Sequence, residues 1–295
     1  MKMLERKFLF AEKTVLIKTN DKKLHTVLGV FFPEYASKKK PDLTLEYGFR
    51  KGNFDLSFFL LQKSWKTYEK VRENKKKKLI EFKSRKGNSK KMLVSGFLDL
   101  KKKIGKIQIV THRNFLWNFF IFNIIKCLAI YLNKCNGTII HSSAVVKNKQ
   151  AFLFSGIDES GKTTITRLLP ETETLGEDMN FLFKKGKRIF VQEFPFIKVM
   201  VDVSKRQATP FELNTVFFIK KSKKLKIKKL TKIESIAELL KNDVQGTLEF
   251  NEINGKERLS LYKEIFSCVP AYVLHFPIKN NLWKKIQKKI KQNKI

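Results

Sequence analysis

Residues 151–170 read AFLFSGIDESGKTTITRLLP, and the reading of the whole chain turns on them. Gly156, then four residues, then Gly161, Lys162 and Thr163 complete the pattern G-x-x-x-x-G-K-[ST]. In such a loop the backbone N–H groups turn inward around phosphate oxygens. The lysine reaches the β- and γ-phosphates, and the hydroxyl that follows it binds Mg²⁺. The flanks supply the required context. Residues 151–154 form a short apolar run that reads as a buried strand. Residues 163–169 hold neither Gly nor Pro and read as a helix, with its N-terminus toward the phosphates and Pro170 as its stop. The expected nucleotide site is therefore Gly156, Ile157, Asp158, Glu159, Ser160, Gly161, Lys162, Thr163 and Thr164. One member is unusual. Glu159 sets a carboxylate where Gly or a small residue is commoner. Its side chain either points to solvent at little cost or repels phosphate, and the sequence leaves both open.

The rest of the composition suits a partner of negative charge. Lys and Arg number 62 against 27 Asp and Glu, a net charge of +35. Abundant Lys, Ile, Asn and Phe point to compositional bias, but bias alone does not hold the acidic residues so low. A field this positive attracts ATP, acidic peptides, nucleic acid or anionic membrane, unless the lysines are simply a solvated surface. Cys127, Cys135 and Cys268 make no C-x-x-C pair, and His25, His112, His141 and His275 are scattered. With no zinc pattern and no disulfide framework, a reducing cytoplasm is the expected setting. The first residues carry Glu5, Arg6 and Lys7 and do not read as a signal peptide. Residues 115–132, FLWNFFIFNIIKCLAIYL, are apolar enough to imitate a membrane span, but Asn118, Asn123 and Lys126 interrupt them. A core helix is the better expectation, and no transmembrane span is expected.

The length of 295 residues allows one large domain or two small ones. Residues 1–112 read as β-rich and basic, with strands at 13–17, 43–47, 54–61 and 107–111. The runs 75–78 and 84–91 read as exposed hairpin tips. A helix follows at 114–134 and stops at Asn136-Gly137. Residues 138–146 read as a strand that leads through a turn into the strand feeding the loop. A strand pair turning at Lys185-Gly186, a strand at 215–220 and helices at 233–242 and 256–266 come next. The ending NNLWKKIQKKIKQNKI puts Trp283, Ile286 and Ile290 on one helical face and lysines on the other. Such a helix caps a core or lies on a membrane, and the core is the expectation.

Two families fit the loop. GIDESGKTT is close to the GIDGSGKTT of thymidylate kinases, but those carry the loop near the start and follow it with an Asp-Arg pair, which does not occur after the loop here. A wider run of motifs resembles the HPr kinase/phosphorylase superfamily, the HPr-serine-kinase-related proteins with a PEP-carboxykinase-like P-loop, and above all its short relatives. In that pattern L-H-(A/G)-S-A-V is matched by His141, Ser143, Ala144 and Val145. The loop follows, then Leu168-Leu169-Pro170, then Glu177-Asp178 at the place of the acidic pair, then Phe194-Pro195-Phe196. The likeness covers residues 110–295. This sequence departs in having Glu-Asp for Asp-Asp and Glu159 for Gly. The basic motifs used on HPr itself do not occur after Pro195 in recognisable form, which argues against HPr as the acceptor.

The resemblance implies an α/β fold, a P-loop kinase domain over residues 113–295 behind the β-rich region 1–112. It implies ATP and Mg²⁺, with phosphoryl transfer to a hydroxyl, that of a serine on a protein or small peptide. Lys162 and the loop amides would hold phosphate, and Thr163 and Asp178 would hold the metal. Of the acidic pair, Glu177 would be the base and Asp178 the metal's support, with His141 pointing at the γ-phosphate. Asp178 is expected at a strand end facing the loop, and strand alternation turns Glu177 to the other side of the strand unless the backbone bends, which gives the two different jobs. A basic surface suits an acidic partner, and a homo-oligomer is left open. The rival reading is a non-catalytic nucleotide or nucleic-acid binder with a degenerate loop.

Overall fold

A computed structural model describes residues 2–51, 67–74, 79–86, 92–111, 116–157, 159–195, 208–241, 255–278 and 282–292. The expected strand at 54–61, the run 75–78, Asp158 and Phe196 lie outside the described residues. The chain divides into two compact units, Met1–Tyr131 and Leu132–Ile295. Together they hold two sheets and make a mixed α/β protein.

The first unit is built on seven strands: β1 (Leu4–Phe10), β2 (Lys13–Thr19), β3 (Leu43–Lys51), β4 (Thr67–Asn74), β5 (Leu79–Lys86), β6 (Met92–Asp99) and β7 (Ile104–Thr111). Their order across the sheet is β1-β2-β3-β7-β6-β5-β4. Two findings correct the sequence reading. Ser84 lies inside β5, paired with Glu69 on one side and Val94 on the other, and is no hairpin tip. A helix, α1 (Lys22–Phe31), links the parallel strands β2 and β3. It starts where the Asp21 side chain accepts the Leu24 N–H at 2.8 Å, satisfying one of the first-turn donors.

Helix α2 (Leu116–Asn133) is the segment that imitated a membrane span. Phe120, Ile124, Cys127 and Leu128 are buried, and Phe120 meets Tyr47 edge-on at 4.9 Å. Burial pushes the Cys127 thiol up to about 12, so it is an inert core group. Among the described residues no helix is long and apolar enough to cross a membrane. All three cysteines are free.

The second unit has the sheet order β11-β10-β8-β9-β12-β14-β13. The strands are β8 (Gly137–Lys147), β9 (Gln150–Ser155), β10 (Glu173–Lys185), β11 (Arg188–Glu193), β12 (Phe211–Lys221), β13 (Lys226–Lys229) and β14 (Ala271–Phe276). A further pairing of β11 with β12 curls β11, β10, β8, β9 and β12 into a ring. β9, β12 and β14 run parallel. The helices are α3 (Lys162–Arg167), α4 (Lys232–Lys241), α5 (Gly255–Cys268) and α6 (Leu282–Gln292). A capping box opens α4: the Glu234 N–H donates to Thr231 Oγ1, and the Thr231 N–H donates to Glu234 Oε2.

Two cores follow from strand alternation. In one, Ala144, Leu153, Leu182, Val191 and Phe218 pack with Leu239 of α4 and Leu261 and Ile265 of α5. In the other, Phe154, Phe217, Tyr272 and Leu274 pack with Ile165 of α3 and Trp283 and Ile286 of α6. The C-terminal helix therefore spends its apolar face on the core, and Lys284, Lys285, Lys288 and Lys289 stay exposed.

Candidate functional site

β9 ends at Ser155 and the chain turns at once into the glycine loop. Register fixes what stands beside it. Ser155 is opposite Ser142 of β8, and Ser142 is opposite Asp178 of β10. Both β8 and β10 run on past the end of β9, so Asp178 lies in mid-strand rather than at a strand end as expected. It stands level with the end of β9 because β9 is short, not because β10 stops.

The loop is held by its own side chains. Lys162 is buried, and its ammonium donates to the carbonyls of Gly156 at 2.9 Å and Ile157 at 3.0 Å. Ser143 Oγ of β8 donates to the Lys162 carbonyl at 2.9 Å and ties the loop's exit to the sheet. Gly161 has φ +99°, and a Cβ there would meet Phe276 Cζ and Lys221 Cε at 3.0 Å each. At Gly156 an added Cβ would lie 2.5 Å from Ser160 Oγ. Both glycines of the motif are thus set by close approach as well as by pattern. Helix α3 starts at Lys162 and ends at Arg167, shorter than expected. Leu168 has already left helical geometry, and Pro170 disfavours helix at Leu169 before it.

Glu159 resolves the question its charge raised. It has φ +61° and is exposed, so its carboxylate meets solvent while its backbone takes the left-handed conformation that glycine adopts freely. Relief of that strain exceeds the entropy that a new glycine adds to the unfolded chain. Glu159→Gly is therefore expected to raise stability by roughly 0.5–1 kcal/mol in thermal melts. A lower melting point would show that the Glu159 side chain makes a contact the fold needs.

The acidic pair takes two different neighbours. His141 Nε2 and Asp178 Oδ1 lie 2.9 Å apart, with the histidine side chain 15 % exposed and the aspartate 43 %. Glu177, half-buried, stands opposite Ser143, and cross-strand partners share a face, so Glu177 is on the loop's side of the sheet while Asp178, opposite Ser142, belongs by the same register to the other face, the reverse of the expected arrangement. Asn180, fully buried, donates its amide to Ser142 O at 2.8 Å and Ser142 Oγ at 3.1 Å and locks β10 to β8 beside the pair. Thr163, Thr164 and Ser160 are half-buried, and Ile157 is exposed at the turn of the loop, where the Ser160 N–H donates to the Ile157 carbonyl. Among the described residues no group of three or more His, Cys, Asp or Glu is placed to hold a metal. Two residues at the loop escaped the sequence reading of the site. Ser143 entered only as part of a motif, and Lys221 is one of 62 basic residues with no local signal to set it apart.

The model of one family, the SynChlorMet cassette protein ScmC, matches residues 110–291. The chain belongs to the ScmC family. The ScmC match takes in the whole of the glycine loop, the acidic pair and His141. No curated protein matches the chain. Among solved structures, the HPr(Ser) kinase/phosphatase from Coxiella burnetii aligns over 53 % of this chain and 96 % of its own, at 9 % identity and a TM-score of 0.28. At that level nothing is carried from it to this chain.

Proposed function

We propose that the chain is an ATP- and Mg²⁺-dependent phosphotransferase of the HPr-kinase-like P-loop type. Its kinase domain is residues 113–295, behind the β-rich region 1–112. It transfers the γ-phosphate to a hydroxyl, that of a serine on a protein or small peptide. One observation carries the reading: a complete phosphate loop, with the His141–Asp178 pair at the level where β9 gives way to it and Glu177 on its side of the sheet.

Phosphoryl transfer asks for charge neutralisation, in-line placement and a destination for one proton. Loop N–H groups and Lys162 take the phosphate oxygens, with the ammonium turning from the Gly156 and Ile157 carbonyls toward the ligand. Thr163 and Asp178 offer oxygen donors, the class Mg²⁺ takes. That ion is commonly held by one or two carboxylates with substrate phosphates, so no larger protein cage is needed. Bound there, Mg²⁺ would neutralise charge on the β- and γ-phosphoryl oxygens. His141 holds the Asp178 carboxylate in place. Glu177 accepts the proton as the acceptor oxygen attacks phosphorus. The acceptor O–H bond breaks, the new O–P bond forms, and the bridging oxygen leaves with ADP.

The test is ATP titration of the full chain, with nucleotide turnover followed with and without Mg²⁺. Wild type is expected to bind ATP and to turn it over slowly without an acceptor. Glu177→Gln is expected to keep binding and lose turnover by roughly 10²–10⁴-fold, the usual worth of a general base. Wild type that binds no ATP at high concentration, yet holds nucleic acid, would sink the kinase reading in favour of a polyanion binder.

A further inference from the structure

We infer that Lys221 is a second cation of the phosphate site, delivered by the sheet rather than by the loop. This rests on the reading of the loop as nucleotide-binding. The geometry is specific. Lys221 Cε and Cγ lie 3.0 and 3.5 Å from where a Cβ of Gly161 would stand, so the lysine stem runs along the loop's last glycine with its ammonium one bond farther. The backbone beneath is pinned. Lys221 pairs with Phe276 of β14, the Ser222 N–H donates to the Phe276 carbonyl at 2.9 Å, and the Phe276 ring is buried against the same glycine. The side chain itself is exposed.

Lys221 also answers the loop's odd acid. Glu159 adds a negative charge to an anion site, and a lysine on a fixed strand end returns a positive one. An ammonium acts on phosphate as a point charge and needs no planar docking geometry. The ligand class that profits is a nucleoside di- or triphosphate, whose chain of phosphates spans both Lys162 and the Gly161 side of the loop.

The experiment is calorimetric titration of the full chain with ATP and with ADP at low and high salt. It compares wild type, Lys221→Gln, Lys221→Arg and Lys220→Gln. Lys220 is exposed and precedes Lys221 on the strand, so its side chain points to the other face and its loss removes the same formal charge. Lys221→Gln is expected to weaken both nucleotides about tenfold, with a shallower salt dependence, while Lys221→Arg stays near wild type and Lys220→Gln shifts less than about twofold. Equal binding by Lys221→Gln overturns the inference and leaves the kinase reading standing. Equal losses in Lys221→Gln and Lys220→Gln overturn it too, because they mark a general field and not a site. Wild type that binds neither nucleotide overturns both readings together.

Discussion

Lys162→Ala should bind ATP at least about a hundredfold more weakly than wild type, whereas Asp178→Asn should still bind it and lose turnover by about 10³-fold. The contrast follows from where each group sits. Lys162 is buried in the loop, and its ammonium spans the Gly156 and Ile157 carbonyls, so its loss removes both a charge for phosphate and two ties that shape the cradle. Asp178 is outside the loop, on β10, and reaches His141. Replacing its charged oxygen with an amide leaves strand and loop in place and removes a carboxylate from the reaction. Binding titrations and phosphate-release assays on the same preparations separate the two. Unchanged ATP affinity in Lys162→Ala would make the lysine a structural tie only. Unchanged turnover in Asp178→Asn would remove Asp178 from the chemistry.

The largest expected loss of stability is at Trp283. Its side chain is 1 % exposed and meets Phe152 edge-on at 4.7 Å, with the Lys147 ammonium 5.6 Å from the ring centre. Trp283→Ala is expected to cost about 3–5 kcal/mol, the range for emptying an aromatic site in a core. Trp283→Phe should cost far less, because the indole N–H has no hydrogen-bond partner among the described residues and leaves none stranded. Denaturant unfolding of both variants checks the pair. If instead α6 served a membrane surface, Trp283→Ala would leave stability near wild type and weaken binding to anionic vesicles.

The glycine loop and its flanks were legible because the motif is local and its strand and helix carry their own signals. The heptad-like spacing of Trp283, Ile286 and Ile290 gave the closing helix for the same reason, and the burial of Trp283 and Ile286 decides between core and membrane. Helix α1 was hidden because its ten residues lie among basic strands, and its best marker is a single Asp21 cap. The mid-strand place of Asp178 could not be read from its neighbours. It depends on how far β10 and β8 outrun β9, which is a property of three strands at once. Lys221 was invisible for a like reason: only the parallel pairing of β12 with β9, the strand that feeds the loop, brings it against Gly161.

That overrun also divides the molecule by timescale. Backbone amides around His141, Asp178 and Asn180 belong to the β8–β10 ladder and are bonded on through it. Their hydrogen exchange should wait on opening of the whole sheet, whereas the turn at Ile157, Glu159 and Ser160, with exposed residues and few ladder bonds, should exchange early. The backbone that carries the two carboxylates is therefore expected to keep its place when a ligand arrives. Beside this wall, it is the glycine turn that is expected to do the moving if the proposed nucleotide binds.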